Sequence, residues 1–268
     1  MMGSSWGCTA SKVRALLAGG LLVGSALPAS ADGVNGELEA GAIYYNLDHQ
    51  FEDTYGAYAR GRFASGPQDA WLGEVTHIDR FGDDGTYAAV GNTHDFNADW
   101  TSQVIVGASN GGFFLPAVKV DGSLSRRWLP GRNLVTSAGI SYFDSKDIHS
   151  DVGYRAEATW YTESPWVVQG GVSYNVSDPG AVGSAAGYLA LAHARNGNHI
   201  YTARVGGGEQ AYQPLAEQRA RVGVSFTSVR LSAKQWIGRH WGVNAVADSY
   251  FSSSYDQHGF EVGLFTEF

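Results

Sequence analysis

The chain has 268 residues, 18 of them basic and 26 acidic, with a single cysteine, 36 glycines, 13% aromatic side chains and only 16% charged ones. A formal net charge of −8 argues against nucleic acid as a partner, and one cysteine excludes an internal disulfide and a thiolate metal site. No segment after the leader approaches the roughly 18 consecutive apolar residues that a membrane helix needs.

At the N-terminus, Lys12 and Arg14 precede an apolar run from Ala15 to Leu27, which ends at Ala29-Ser30-Ala31. A charged start, a short apolar stretch and a small-x-small site read as an export signal over residues 1–31. The barrel described below then occupies 32–268, a mature chain of 268 − 31 = 237 residues. Cys8 leaves with the signal, and it lies on the wrong side of the apolar run for lipid attachment. Losing Lys12 and Arg14 leaves 18 − 2 = 16 basic against 26 acidic residues, a mature charge of −10.

From residue 36 onward, alternating apolar and polar segments recur between turn signals, which is the pattern of strands with two unlike faces. They predict fourteen strands, near 36–47, 53–65, 69–80, 85–96, 99–109, 115–127, 133–143, 150–162, 165–176, 183–195, 198–208, 217–236, 241–252 and 258–268. The predicted fold is all-β, a transmembrane antiparallel up-and-down barrel of about 14 strands. A count of 12 stays open, and both counts are even, as in single-chain bacterial barrels. The other architecture compatible with an exported, Gly-rich, aromatic-rich chain is a soluble periplasmic β-protein.

Loop parity favours the barrel. The even-numbered connections are short: Gly66-Pro67-Gln68, Asn97-Ala98, Leu129 to Arg132, Glu163-Ser164, Asn196-Gly197 and Ile237 to His240. The odd-numbered ones are expected to be longer and more acidic, including Asp48 to Glu52, Asp144 to His149, Ser177 to Val182 and Glu209 to Ala216. Short turns belong at the periplasmic rim and long loops at the cell surface. Trp71, Trp100, Trp128, Trp160, Trp166, Trp236 and Trp241 all fall close to the short turns, as an aromatic girdle at the periplasmic membrane boundary would require. Tyr44, Tyr45, Phe51, Phe81, Phe113, Phe143 and Tyr250 are expected to form a looser girdle at the outer rim. Acidic loop residues such as Asp48, Asp53, Asp83 and Asp147 would be solvated at the surface, or bridged by divalent cations to lipopolysaccharide.

Charges alternate with apolar residues inside the strands. Glu37, Glu39, Arg60, Arg62, Lys119, Asp121, Arg155, Glu157, Arg219, Arg221 and Asp248 are all expected to face the lumen, because Arg or Lys on the lipid face costs roughly 2–4 kcal/mol at mid-membrane. Two uses compete for them: cross-linking a plugged lumen, or lining a narrow pore that selects anions or sugars. The arginines of the second and twelfth strands would make an anion-facing wall if they met. In the twelfth strand Val222, Val224 and Phe226 share one parity and Val229 and Leu231 the other, so a β-bulge is expected near Thr227-Ser228.

Catalytic chemistry is not expected. His149-Ser150-Asp151 is sequential, and strand neighbours point to opposite faces, so adjacency does not make a triad. His193 and His199 flank a turn without metal-ligand spacing, and no cofactor motif is present. A lipid-acting outer-membrane enzyme is the remaining enzymatic alternative.

The last segment alternates to the final residue, with Phe260, Val262, Leu264, Thr266 and Phe268 on one face. Glu261, Gly263 and Phe268 resemble the C-terminal signal that outer-membrane proteins present to the barrel-assembly machinery; Thr266 departs from it.

Several further stretches resemble the YaiO family of outer-membrane barrels. They are Arg126-Arg127-Trp128-Leu129-Pro130-Gly131, Ser164 to Gly170, Asp178-Pro179-Gly180, Gly187 to Leu191, Arg204 to Tyr212, Gln235-Trp236 and Gly259 to Phe265. The resemblance covers most of the mature chain and is strongest from about Ser123. It implies an outer-membrane, porin-like barrel in a Gram-negative cell envelope, with lipid and lipopolysaccharide as surroundings, and it carries no established activity. The expected role is a narrow channel for small solutes or saccharides, or an envelope component associated with exopolysaccharide; the alternative is a plugged barrel without transport. The helical-repeat modules that precede the barrel in some relatives are not seen in this chain, which weakens a specific role in polysaccharide export.

Overall fold

The computed structural model describes residues 36–48, 51–195, 197–216 and 219–268, and the side chains of all of these except 213–221. The export signal read over 1–31 lies outside the described residues. Fourteen strands follow one another: β1 (Gly36–Leu47), β2 (Thr54–Ala64), β3 (Asp69–Arg80), β4 (Asp83–Asp95), β5 (Trp100–Gly111), β6 (Val118–Trp128) and β7 (Leu134–Asp144). The second half is β8 (Ser150–Tyr161), β9 (Trp166–Asp178), β10 (Val182–Arg195), β11 (His199–Ala216), β12 (Arg219–Trp236), β13 (Trp241–Ser252) and β14 (Asp256–Glu267). Each pairs antiparallel with its neighbours in sequence, and β1 closes on β14 through a register running from Glu37↔Glu267 to Leu47↔Gln257. Gly36 and Phe268 exchange both backbone hydrogen bonds, which completes the seam.

The alternation in the sequence becomes an inside-out protein. Leu264 (62% exposed), Leu189 (66%) and Val90 (56%) point away from the barrel, as only a lipid-facing surface allows. Most strands have 11–14 residues, enough to cross the hydrocarbon at a tilt, and β11 and β12 have 18 each. Their excess length projects as a hairpin beyond the outer rim.

This hairpin corrects two expectations. Glu209 to Ala216 is strand rather than loop, and the odd-numbered connections are mixed: 48–53, 112–117 and 145–149 are long, as expected, whereas 81–82, 179–181 and 253–255 are short. The asymmetry between the rims therefore lies partly in strand length. No bulge occurs at Thr227-Ser228: Gly207↔Thr227 and Gly206↔Ser228 pair in unbroken register, and the one shift in this ladder falls between Pro214 and Ala216. The apparent slip arises because Val224 and Phe226 turn their apolar side chains inward, Val224 being fully buried.

The aromatic girdles also differ from expectation. Trp71, Trp100, Trp128, Trp160, Trp166 and Trp241 face outward at the rim that carries the described termini, read here as periplasmic. Trp236 instead lies inside, 7% exposed, edge-on to Phe265 at 5.2 Å with its indole donating to Glu267 at 3.1 Å. It shares the parity of Lys234 and Arg230, which is the lumen parity. At the other rim, Tyr44 faces lipid beside Tyr55 and Phe260. Tyr45, Phe51, Phe81, Phe113, Phe143 and Tyr250 do not: they sit on lumen-facing positions or in loops packed across the mouth.

Candidate functional site in the lumen

The lumen is built in three levels. Near the periplasmic rim an apolar layer of Leu72, Val167, Ala192, Ile200, Trp236 and Phe265 is almost wholly buried. Lys234 rests against Phe265 and Trp236 at 4.3 and 4.9 Å and pairs with Glu37. The side chain of Arg62 comes into this region with Nε and Nη2 buried and unpartnered.

Above this layer the charges converge. Arg60 donates to Glu39 at 3.0 Å, and the Tyr58 hydroxyl donates to the same carboxylate at 2.6 Å. Glu261 lies between two arginines, 4.0 Å from Arg60 and 2.7 Å from Arg230, and accepts from Tyr45 at 2.9 Å. Arg230 also approaches Asp248 at 3.4 Å, an ionic contact without hydrogen-bond geometry. Glu261, read in the sequence as part of an assembly signal, is thus the hub that ties β2 to β12. On the opposite wall Arg155 grips Asp121 through two hydrogen bonds of 2.6 Å, and Tyr188 donates to Glu157 at 2.8 Å while Arg204 covers its ring at 3.7 Å. Bidentate and charge-assisted bonds of this kind are the strong ones, so both walls are stiff.

Between the walls is a cavity of about 660 Å³. Its charged lining is balanced: Lys119, Arg155, Arg204 and Arg230 against Glu74, Asp121, Glu157 and Asp248. Strand parity decides which side chains reach it. Glu74, Arg204 and Arg230 escaped the sequence reading although each alternates with outward apolar or small neighbours. The arginine of β12 that comes to Arg60 is Arg230; Arg219 and Arg221 begin the strand at the tip of the outer hairpin, and their side chains lie outside the described residues.

The outer mouth is crossed by aromatic rings. Phe51, Phe81 and Tyr255 stand mutually edge-on at 5.2–5.8 Å, Phe113 stacks on Phe81 at 6.1 Å, and Tyr250 joins Tyr255 to Phe226. Arg80 clamps the group, donating to Tyr255 at 2.7 Å and to Gln257 at 2.9 Å with its guanidinium 4.6 Å from the Phe81 ring. Phe81 and Gly82 both take positive φ, 57° and 73°, in a two-residue hairpin turn that aims the Phe81 ring inward. A bulky residue in the left-handed region costs about 1–2 kcal/mol, which the ring contacts must offset.

Other sequence candidates fall elsewhere. Ser150 and Asp151 point to opposite faces of β8, and the His149 ring bonds Asp147 at 2.7 Å and packs on Tyr212, so the run does not converge. His193 and His199 hydrogen bond at 2.8 Å between Trp166 and Tyr201, an outward ladder of rings at the periplasmic rim. Among the described residues no cluster of three or more His, Cys, Asp or Glu side chains is placed to hold a metal.

The Arg126 to Gly131 stretch now has a structural meaning. Arg126 lies outside, over Trp128 at 3.7 Å and Trp100 at 5.2 Å, while Arg127 turns inside to Asp95 at 3.1 Å. Arg132, just beyond it, holds Asp99 at 2.6 Å, fixing the turn whose Leu129 and Arg132 have positive φ. The family model described as the YaiO membrane beta barrel domain matches residues 35–213. The chain belongs to the YaiO family. The matched range contains the turn just described and the Arg204 to Tyr212 stretch, and it stops before β12. Solved structures similar to this YaiO barrel include an anion-selective porin from Comamonas acidovorans, at 8% identity with a TM-score of 0.52 over 88% of this chain and 98% of that one. Omp33 of Acinetobacter baumannii is similar at 9% identity, with the same score and coverage. At such identities the likeness is one of fold, and these neighbours are outer-membrane barrels, as this one is. A search of curated proteins finds no sequence match.

Proposed function

We propose that this YaiO barrel is a narrow, restricted passage for small polar solutes of saccharide size across the outer membrane. The observation that carries the reading is the mid-lumen cavity, whose volume falls within the 300–1,000 Å³ of ordinary small-molecule sites. Eight charged side chains line it beside apolar surface, it is bounded by strands from β3 to β13, and it offers donors, acceptors and the rings of Tyr87, Tyr188 and Phe226 together. Mixed hydrogen-bonding groups beside aromatic faces suit polyols, which present hydroxyls on their edges and C–H groups on their faces. The aromatic group at the mouth would make entry infrequent. The passage requires no chemical step, and His149, Ser150 and Asp151 are assigned none. In the same reading the acidic outer loops meet lipopolysaccharide, and β14 is the segment recognised during assembly.

Planar-bilayer recording of the full chain, with sugar-driven swelling of proteoliposomes, tests the proposal. Discrete small openings and slow uptake of mono- or disaccharides are expected. The second reading, a closed envelope component, is favoured by the apolar layer at one end and the aromatic group at the other; folded protein that neither conducts nor admits sugars would establish it instead.

A further inference from the structure

Two hydrogen-bond donors line the same cavity and bond no described residue. Lys119 on β6 faces inward, with Gly107 of β5 as its cross-strand partner. Tyr87 on β4 also faces inward, and its ring lies over Gly107, where a side chain of any size would strike the hydroxyl. The missing side chain at Gly107 therefore brings the Tyr87 hydroxyl beside the Lys119 stem. Both residues line the cavity. Among the described residues neither the ammonium nor the hydroxyl has a hydrogen bond or an ion pair.

The charges that face them explain why. Asp121, two residues along the same strand, has both oxygens taken by Arg155 at 2.6 Å. Glu74 faces both groups electrostatically, yet one of its oxygens accepts from Thr76 at 2.9 Å and it makes no ion pair with Lys119. Arg155 is the remaining charge facing Lys119, and it adds to the positive potential. A carboxylate is acceptor-only with two oxygens, so one such group would satisfy ammonium and hydroxyl together.

We propose that Lys119 and Tyr87 form a carboxylate-binding subsite in the lumen, so that the preferred solute is an acidic one, a sugar acid or small organic acid. The subsite rests on the passage reading for its purpose but not for its detection. Binding is measured by calorimetry on the full chain folded in detergent micelles, with glucuronate and glucose as matched probes. Glucuronate is expected to bind more tightly than glucose, and Lys119→Met to weaken glucuronate by about tenfold or more, the loss of one charge-assisted bond. Tyr87→Phe, which keeps the ring over Gly107, weakens it by a smaller factor, and each change lowers glucuronate affinity by a larger factor than glucose affinity. Equal binding of the two probes, or glucuronate affinity unmoved by both variants in folded protein, overturns the subsite. A barrel that binds glucuronate but is silent in bilayers keeps the subsite and loses the passage; one that conducts without preferring glucuronate does the reverse.

Discussion

Asp121 holds Arg155 with both oxygens, and each side chain is largely withdrawn from solvent. Asp121→Ala strands the guanidinium in a confined lumen, so a loss of about 1–3 kcal/mol is expected, read as a lower urea midpoint for unfolding from lipid vesicles. In the β7–β8 loop, burial works to raise the Asp147 carboxyl, but hydrogen bonds from Ser145 and from the backbone and ring of His149 outweigh it and leave it below its ordinary value. Because the folded carboxyl is the stronger acid, its contribution is present above the unfolded pKa and is lost as pH falls through the lowered folded one. Protease cleavage within 145–149 should accelerate over that acidic window in wild type and be pH-independent there in Asp147→Asn. Most inward charges could be read from parity, since Arg60 or Arg155 has no tolerable place in lipid. Arg230 could have been read the same way, between Val229 and Leu231, once the turn-in of Phe226 is not mistaken for a bulge.

Strands carry the clearest message because their period is two and one face must be apolar. Val90→Lys, on the lipid side of β4, is expected to cost roughly 2–4 kcal/mol in the same urea titration, whereas Ala89→Lys, facing the cavity, costs far less. Trp236 shows where strand-level reading stopped: nearness to a turn says which rim a residue occupies, and only parity says which side of the wall. Variants retaining Trp236 alone should resist quenching by brominated lipids, and variants retaining Trp241 alone should be quenched strongly; equal quenching would return Trp236 to the lipid girdle. Side chains far apart in sequence made the other levels illegible. Phe51, Phe81 and Tyr255 meet only because three loops fold over one mouth, and no local pattern announces that.

For the whole molecule, period-two alternation points to a barrel of about fourteen strands and its membrane, and the motif stretches to its family, while the state of the lumen depends on contacts between strands distant in sequence. The lumen is a charged cavity between an apolar floor and an aromatic roof, and the roof is its most alterable part. Phe81→Asn removes the central ring while keeping a residue that tolerates the left-handed turn, and Tyr255→Ala removes its buried neighbour. The measurement that decides the account is single-channel recording of the folded full-length barrel and these two variants in planar bilayers. Small, infrequent openings are predicted for wild type, with larger and more frequent ones in both variants. Silence from all three, with folding verified by heat-dependent gel mobility, would contradict the passage and leave a sealed barrel.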